Sequence, residues 1–298
     1  MKWQGVIPAI MTPFGDDLSV DANLLRHEVD TLLKAGCTGI VALGSLGEGG
    51  SLSFDEKKAV LRLCREEVAD RGSLVAGVAA LTTAEAVRLA ELGAEAGCDG
   101  LMVLPPYVYR GDWRETRSHF EAVIGATDLP CMLYNNPVAY GTDVVPGQIR
   151  DLAAALPNLA AVKESSTDVR RITAIRSLLG DRLALLVGVD DLIVEGVEAG
   201  AEGWIAGLAD ALPEESVRLF DLARDGRVDE ARALYDWFLP LLRLDTVPKF
   251  VQLIKLVQTE TGLGSEPVRP PRLPLVGSER EEALTVIREA LARRPHLR

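Results

Sequence analysis

A lysine closes the apolar, strand-like run Leu159-Ala-Ala-Val-Lys163, and the chain continues Glu-Ser-Ser166. Seven lysines stand against twenty-five arginines, so ammonium groups are used sparingly. Lys2, Lys34, Lys57, Lys58, Lys249 and Lys255 fall near the amino terminus or in helix-patterned segments, where a solvated ammonium costs little. Lys163 is the expected exception. An amine at the apolar end of a strand is partly desolvated, which disfavours its charged form, lowers its pKa and leaves a nucleophile for a carbonyl or imine carbon. That is Schiff-base chemistry.

Such a lysine needs groups that bind a small anion and move protons. Other strand-end positions offer them: Gly44-Ser-Leu-Gly-Glu48, Pro105-Pro-Tyr107-Val-Tyr109 and Tyr134-Asn-Asn-Pro137. The glycine turn can aim backbone amides at a carboxylate, Tyr134 can carry protons to and from a carbinolamine, and Ser45 can pass protons to that phenol.

Other chemistries are poorly supplied. Cys37, Cys64, Cys98 and Cys131 are spaced 27, 34 and 33 residues apart, too scattered for the close pairs of a zinc site, and are read as reduced core residues. His27 and His119 lie in helix-patterned segments and His296 in the tail, so neither a serine-histidine-acid triad nor a histidine-bound metal is expected. The net charge of -12, without a basic cluster, argues against nucleic-acid binding. No apolar run is long enough for a bilayer span, and the amino terminus leads straight into a strand without signal-peptide regions. A soluble, cytoplasmic protein is expected, with no membrane partner.

The elements that must position these groups repeat. Ala-Gly-x-x-Gly followed by an apolar run occurs at Ala35–Gly39, Ala96–Gly100 and Ala199–Gly203, each marking a helix end, a turn and a new strand. The runs are continuous rather than alternating, as in a parallel sheet covered on both faces. Eight strands are predicted: Val6–Ile10, Gly39–Leu43, Leu74–Val78, Gly100–Leu104, Cys131–Tyr134, Leu159–Lys163, Leu183–Val187 and Gly203–Ala206. Amphipathic stretches lie between them, among them Ala22–Ala35, Phe54–Ala69 and Ala84–Ala96, each preceded by a capping residue. The pattern predicts a (β/α)8 barrel over residues 1–212, a fold of ~250 residues. A doubly wound sheet would offer a glycine-rich phosphate loop after its first strand, and Pro8-Ala-Ile-Met-Thr-Pro-Phe14 is not one. Residues 213–298 are read as the last barrel helix and a carboxyl-terminal helical extension, with helices over Glu214–Arg224, Val228–Leu244, Lys249–Thr261 and Glu279–Arg293.

Gly44-Ser-Leu-Gly-Glu48, Tyr134-Asn-Asn-Pro137 and Lys163-Glu-Ser-Ser166 resemble three signatures of the dihydrodipicolinate synthase and N-acetylneuraminate lyase family of class I aldolase-type barrels. The resemblance spans nearly the whole chain. It implies a homotetramer built as a dimer of dimers, no metal or organic cofactor, and a small anionic keto- or imino-acid substrate. By it Lys163 is the Schiff-base lysine, Tyr134 the proton shuttle and Ser45 its hydroxyl partner. The substrate is expected to touch Ser45, Leu46, Gly47, Tyr107, Asn135, Ser165, Gly188 and Ile205.

Three departures narrow the choice of member. Leu46 stands where the synthases carry a second hydroxyl, and Ala139 where an arginine holds the second substrate's carboxylate. Val108 stands where a neighbouring subunit contributes a relay tyrosine, which leaves Tyr107 and Tyr109 as possible replacements. The combination with Asn135-Asn-Pro-Val-Ala-Tyr-Gly141, Leu244-Asp-Thr-Val-Pro-Lys249 and Gly262-Leu-Gly-Ser-Glu266 is similar to Δ1-pyrroline-4-hydroxy-2-carboxylate deaminases, which implies 2,5-dioxopentanoate and ammonia as products. A ring substrate with one carboxylate does not need the missing arginine, and Leu46 could pack on its carbons. The alternatives are a dehydratase or aldolase of 2-keto-3-deoxy sugar acids, then 4-hydroxy-tetrahydrodipicolinate synthesis, and, outside catalysis, a keto-acid-sensing barrel.

Overall fold

The structure is a computed structural model that describes residues 1–296. The last two residues of the expected extension lie outside the described residues.

Eight short strands run parallel: β1 (Gly5–Pro8), β2 (Gly39–Ala42), β3 (Ser73–Val78), β4 (Gly100–Val103), β5 (Cys131–Asn135), β6 (Leu159–Glu164), β7 (Ala184–Val187) and β8 (Gly203–Ala206). Strands β2 to β8 pair with their neighbours in chain order, and β1 pairs with β8. The ring is closed between β1 and β2 by Thr38 N–H donating to Val6 O at 2.9 Å and Ile10 N–H to Val41 O at 2.9 Å. The fold is a (β/α)8 barrel.

Alternation along the strands sorts their side chains into two layers. Ile7, Val41, Val75, Met102, Met132, Tyr134, Ala161, Leu186 and Ile205 fill the interior, while Val6, Ile40, Leu74, Leu101, Leu133, Val162 and Leu185 face the helices. Because Tyr134 and Lys163 are register partners two places beyond Met132 and Ala161, both project inward at the carboxyl end.

The connecting helices are α1 (Ala22–Lys34), α2 (Phe54–Val68), α3 (Thr83–Glu95), α4 (Trp113–Ile124), α5 (Pro137–Tyr140), α6 (Pro146–Ala155), α7 (Arg170–Leu179), α8 (Ile193–Glu198) and α9 (Pro213–Arg224). Asp21 and Ser53 cap α1 and α2 as expected, but α3 starts at Thr83, the residue expected to cap it, and is capped by Thr82 instead. Asp21 accepts from the amides of Asn23 and Leu24, and Ser53 with Glu56 and Asp112 with Glu115 form reciprocal capping boxes. The one-turn α5 was hidden in the sequence inside Asn136-Pro-Val-Ala-Tyr140; Asn136 caps it by accepting from Ala139 N–H at 2.9 Å.

Beyond the barrel come α10 (Val228–Leu242), α11 (Phe250–Thr261) and α12 (Gly277–Ala292). The expected helix to Leu244 stops at Leu242, and Arg243–Asp245 form a tighter 3-10 turn before α11. Helix α11 is buried on nearly every face from Val251 to Gln258. That includes Lys255, and here the expectation of a solvated helical lysine fails. Its ammonium is fully enclosed, 2.9 Å from Glu48 Oε1, and also donates to Thr12 O and Pro267 O. Helical spacing gave no hint of it, because α11 has no solvent side on which to place the charge.

Candidate active site at the carboxyl end of the barrel

The glycine turn after β2 is wound tightly. Leu43 and Glu48 both have positive φ, 63° and 52°, a conformation that non-glycine residues hold only under strong local constraint. A Cβ at Gly49 would sit 2.1 Å from Leu43 O, so only glycine fits there. Two clasps hold the turn. Glu48 takes Lys255 on one oxygen and the Arg269 amide, at 3.0 Å, on the other, and Thr12 Oγ1 donates to Gly47 O at 2.7 Å. Among the described residues, the amides of Ser45 and Leu46 donate to no protein acceptor, which leaves two N–H groups for an anion.

Lys163 stands at the mouth, 6% exposed, with no protein hydrogen-bond acceptor on its amine among the described residues. Its Nζ lies over the Tyr134 ring, 3.9 Å from the centroid. Burial pushes its pKa down, opposed by the acidic groups of Tyr140, Asp245 and Asp190. Gly188, just after β7, makes the space for it: a Cβ there would lie 2.5 Å from Lys163 Cε and 2.1 Å from Ser165 Oγ. The Ser165 hydroxyl is itself buried without a partner, as for a group that waits for a ligand.

The hydroxyl chain differs from the expected one. Ser45 Oγ bonds the hydroxyl of Tyr140, not that of Tyr134. Tyr134 OH accepts from Asn136 Nδ2 at 3.0 Å, and its ring meets Tyr140 edge-on with centroids 5.7 Å apart. Burial raises the pKa of both phenols. The sequence presents Tyr140 only within Asn135-Asn-Pro-Val-Ala-Tyr-Gly141, with no role assigned to it; the short helix α5, which ends at Tyr140, brings its hydroxyl to Ser45. Tyr107 lies outside it, 6.2 Å from Tyr140 between ring centroids, and Tyr109 turns away to Glu115.

Four other expected contacts fall elsewhere. Leu46 is 4% exposed and joins the hydrophobic layer outside the barrel, so its side chain faces away from the mouth and only its amide is offered. Asn135 points outward, as alternation along β5 requires: its Nδ2 donates to Glu164 and its Oδ1 accepts from Val144 N–H at 2.9 Å, which leaves it a brace between loops. Ile205 packs among the interior side chains beneath the mouth. Gly47 is sealed against Ile10 O, 2.6 Å from where its Cβ would be.

Two carboxyls border the lysine from the β7–β8 side. Asp190 is buried and accepts from Trp204 Nε1 at 2.9 Å, Gly207 N–H and Leu208 N–H; burial nonetheless pushes it up to about 6. Asp245, from the turn before α11, leans on Gly207. Among the described residues no group of three or more His, Cys, Asp or Glu side chains could hold a metal ion, and no helix is long and apolar enough to cross a membrane. All four cysteines are buried and unpaired.

Residues 2–290 match a family model described as the dihydrodipicolinate synthetase family. The chain is 33% identical to the 4-hydroxy-tetrahydrodipicolinate synthase of Methanothrix thermoacetophila, over 94% of each chain, and 34% identical to that of Xanthomonas axonopodis pv. citri, over 98% of this chain and 96% of the relative. Among solved structures, the 4-hydroxy-tetrahydrodipicolinate synthase of Methylacidiphilum fumariolicum superposes with a TM-score of 0.92 at 29% identity, covering 98% of both chains. YagE from Escherichia coli, a prophage protein of the same family solved with pyruvate, gives 0.91 at 28% identity, over 98% of this chain and 99% of that one.

Proposed function

The chain belongs to the dihydrodipicolinate synthetase family and is an enzyme of the class I, Schiff-base lyase type, and within that family we propose that it deaminates and dehydrates a cyclic imino acid, Δ1-pyrroline-4-hydroxy-2-carboxylate, to 2,5-dioxopentanoate and ammonia. The observation that carries the reading is the state of Lys163: buried, free of protein acceptors, and seated on Tyr134, whose ring meets that of Tyr140, the residue whose hydroxyl bonds Ser45. The substrate carboxylate takes the amides of Ser45 and Leu46. Lys163 attacks C2, and the ring nitrogen departs as an amine on the opened chain. Tyr134 delivers and removes the protons, and Tyr140 with Ser45 connects it to the mouth. Removal of a C3 proton gives an enamine, which expels the C4 hydroxyl. Tautomerisation and hydrolysis then release ammonia from C5, and hydrolysis of the lysine imine frees the product. The lysine imine supplies the electron sink, so no metal or organic cofactor is required.

Ala139 is exposed on α5 at the rim, so a second carboxylate gains no charge-assisted partner at that position. A one-carboxylate substrate does not need one. The homotetramer implied by family resemblance is supported by exposed Val108, Tyr109 and Val138 around this rim, and light scattering would test it.

A second reading has support of its own. The relatives above are named as synthases, and Arg110 rests beside the mouth loop, so close that a Cβ at Gly141 would lie 2.3 Å from its Cζ. Arg110 could take the carboxylate that Ala139 cannot. Intact-mass spectrometry after borohydride reduction, run with the pyrroline and with pyruvate, separates the two when ammonia is assayed alongside. Ammonia and a Lys163 adduct from the pyrroline are the expected results. A pyruvate adduct without ammonia from the pyrroline, joined by consumption of aspartate semialdehyde, would replace the deaminase with the synthase.

A further inference from the structure

Asp245 is a half-buried acid at the mouth that makes no structural salt bridge among the described residues. It ends the 3-10 turn Arg243–Asp245, which packs against the turn at Asp190–Leu192. Its carboxyl lies on the Cα of Gly207, where a Cβ would be 2.2 Å from Oδ1 and 2.6 Å from Cγ. Gly207 has φ of -90°, so its backbone would accept any residue; the room is needed for the carboxyl. Asp245 nonetheless has no hydrogen bond and no ion pair among the described residues. The donors nearby are committed elsewhere: Gly207 N–H, Leu208 N–H and Trp204 to Asp190, and Arg243 to Asp191 at 3.6 Å.

It lies near enough to the reacting groups to influence their titration. Asp245 acts on Lys163 and on Tyr134, and Lys163 acts back on it. Desolvation and the neighbouring Asp190 raise its pKa above the ordinary carboxylate range, with Lys163 opposing them, which favours the protonated form. A neutral carboxyl beside an imine-forming lysine is a proton donor, and the substrate has one group that must leave with a proton.

We propose that Asp245 holds the C4 hydroxyl of the bound substrate and protonates it as it leaves. The proposal rests on the Schiff-base reading above and deepens it. In the step, the enamine nitrogen pair re-forms the C2 iminium, the C2–C3 double bond moves to C3–C4, and the C4–O bond breaks. The Asp245 proton goes to the departing oxygen, which leaves as water, and the carboxylate regains a proton from solvent. The specificity consequence is a substrate with a hydroxyl rather than a carboxylate at this point, because Asp245 supplies no cation to pair with a second anion.

The test uses the full-length enzyme with Asp245→Asn and Asp245→Ala, thermal melts serving to show that each folds. Three steps are read separately on the pyrroline: the borohydride-trapped adduct, deuterium uptake at C3 from heavy water, and ammonia release. Asp245→Asn is expected to keep the adduct and the C3 exchange within a few-fold of wild type and to lose ammonia release by about 100-fold or more, the trapped species being one water heavier. Full ammonia release by a folded Asp245→Asn overturns the proposal. So does a parallel loss of trapping in both variants, which would make Asp245 a positioning group for Lys163. If wild type itself forms the adduct but yields no ammonia, the deaminase reading fails alone. The same variants are then run on a 2-keto-3-deoxy sugar acid, whose C4 hydroxyl must also leave, and an undiminished dehydration rate in Asp245→Asn overturns the proposal there.

Discussion

The barrel mouth and the clasp behind its glycine turn each bury a lysine, and the two are built to opposite ends. At the clasp, Lys255 donates to Glu48 at 2.9 Å, Thr12 O at 3.0 Å and Pro267 O at 2.7 Å. Three acceptors with no donor among them require all three ammonium protons. At the mouth, Lys163 has no such acceptor and rests on an aromatic face. Burial lowers the pKa of both and is the largest cause at each, so burial does not distinguish them. Contact does. A lysine enclosed with its acceptors is a structural ion; one enclosed without them is available as a base or nucleophile.

The sharpest way to break this contrast is to remove each amine in turn. Lys163→Ala is expected to abolish the borohydride adduct and lower turnover by on the order of 10^4-fold or more, with an unchanged melting temperature. A near-normal rate would end the Schiff-base assignment at this position. Lys255→Met should act the other way, leaving the buried Glu48 with only the Arg269 amide and the Arg272 guanidinium, 3.7 Å from its Oε2, at a cost of up to about 3–5 kcal/mol. Denaturant titration measures it, and Glu48→Gln in the same chain should recover a good part of the loss. If Lys255→Met proves as stable as wild type, the clasp is not an ion pair.

A smaller effect probes the mouth alone. Tyr140→Phe removes the hydroxyl that Ser45 contacts, and kcat is expected to fall by about 100-fold with little change in KM. Tyr107→Phe, one ring further out, should cost only a few-fold. Equal losses in the two would deny Tyr140 its place in the hydroxyl chain.

What the sequence made legible follows the same division. The strand-end rule picked out Tyr134 and Lys163, and alternation along β5 and β6 then turns both inward. The barrel could be read for a similar reason: helix ends, glycine turns and apolar runs recur as local signals. Lys255, Tyr140 and Asp245 could not be read so. Each gains its meaning from a partner far along the chain, Glu48, Ser45 and Gly207, and no periodicity records that approach. Leu46 and Asn135 misled for a related cause. Their segments are at the mouth, but backbone geometry turns the side chains outward, into the hydrophobic layer and the loop brace.

Glu28 offers the finest test of contact against proximity. It is buried on α1, its Oε1 has no partner, and Lys255 is near enough to attract it without bonding it. If contact decides, that attraction is too weak to keep the carboxylate ionised, and burial indeed raises its pKa from 4.5 to about 8. The folded state then holds one more proton than the unfolded state between those values. This contribution to stability is complete below 4.5 and is lost as pH rises through about 8. Wild-type melting temperature should therefore decline from pH 5 to pH 9. Glu28→Gln, which keeps the shape but cannot titrate, should lose part of that slope, so that the two proteins differ little at pH 5 and the variant is the more stable at pH 9. Parallel pH profiles would mean that Glu28 is ionised in the fold, and that a lysine can hold a buried carboxylate in its charged form without touching it.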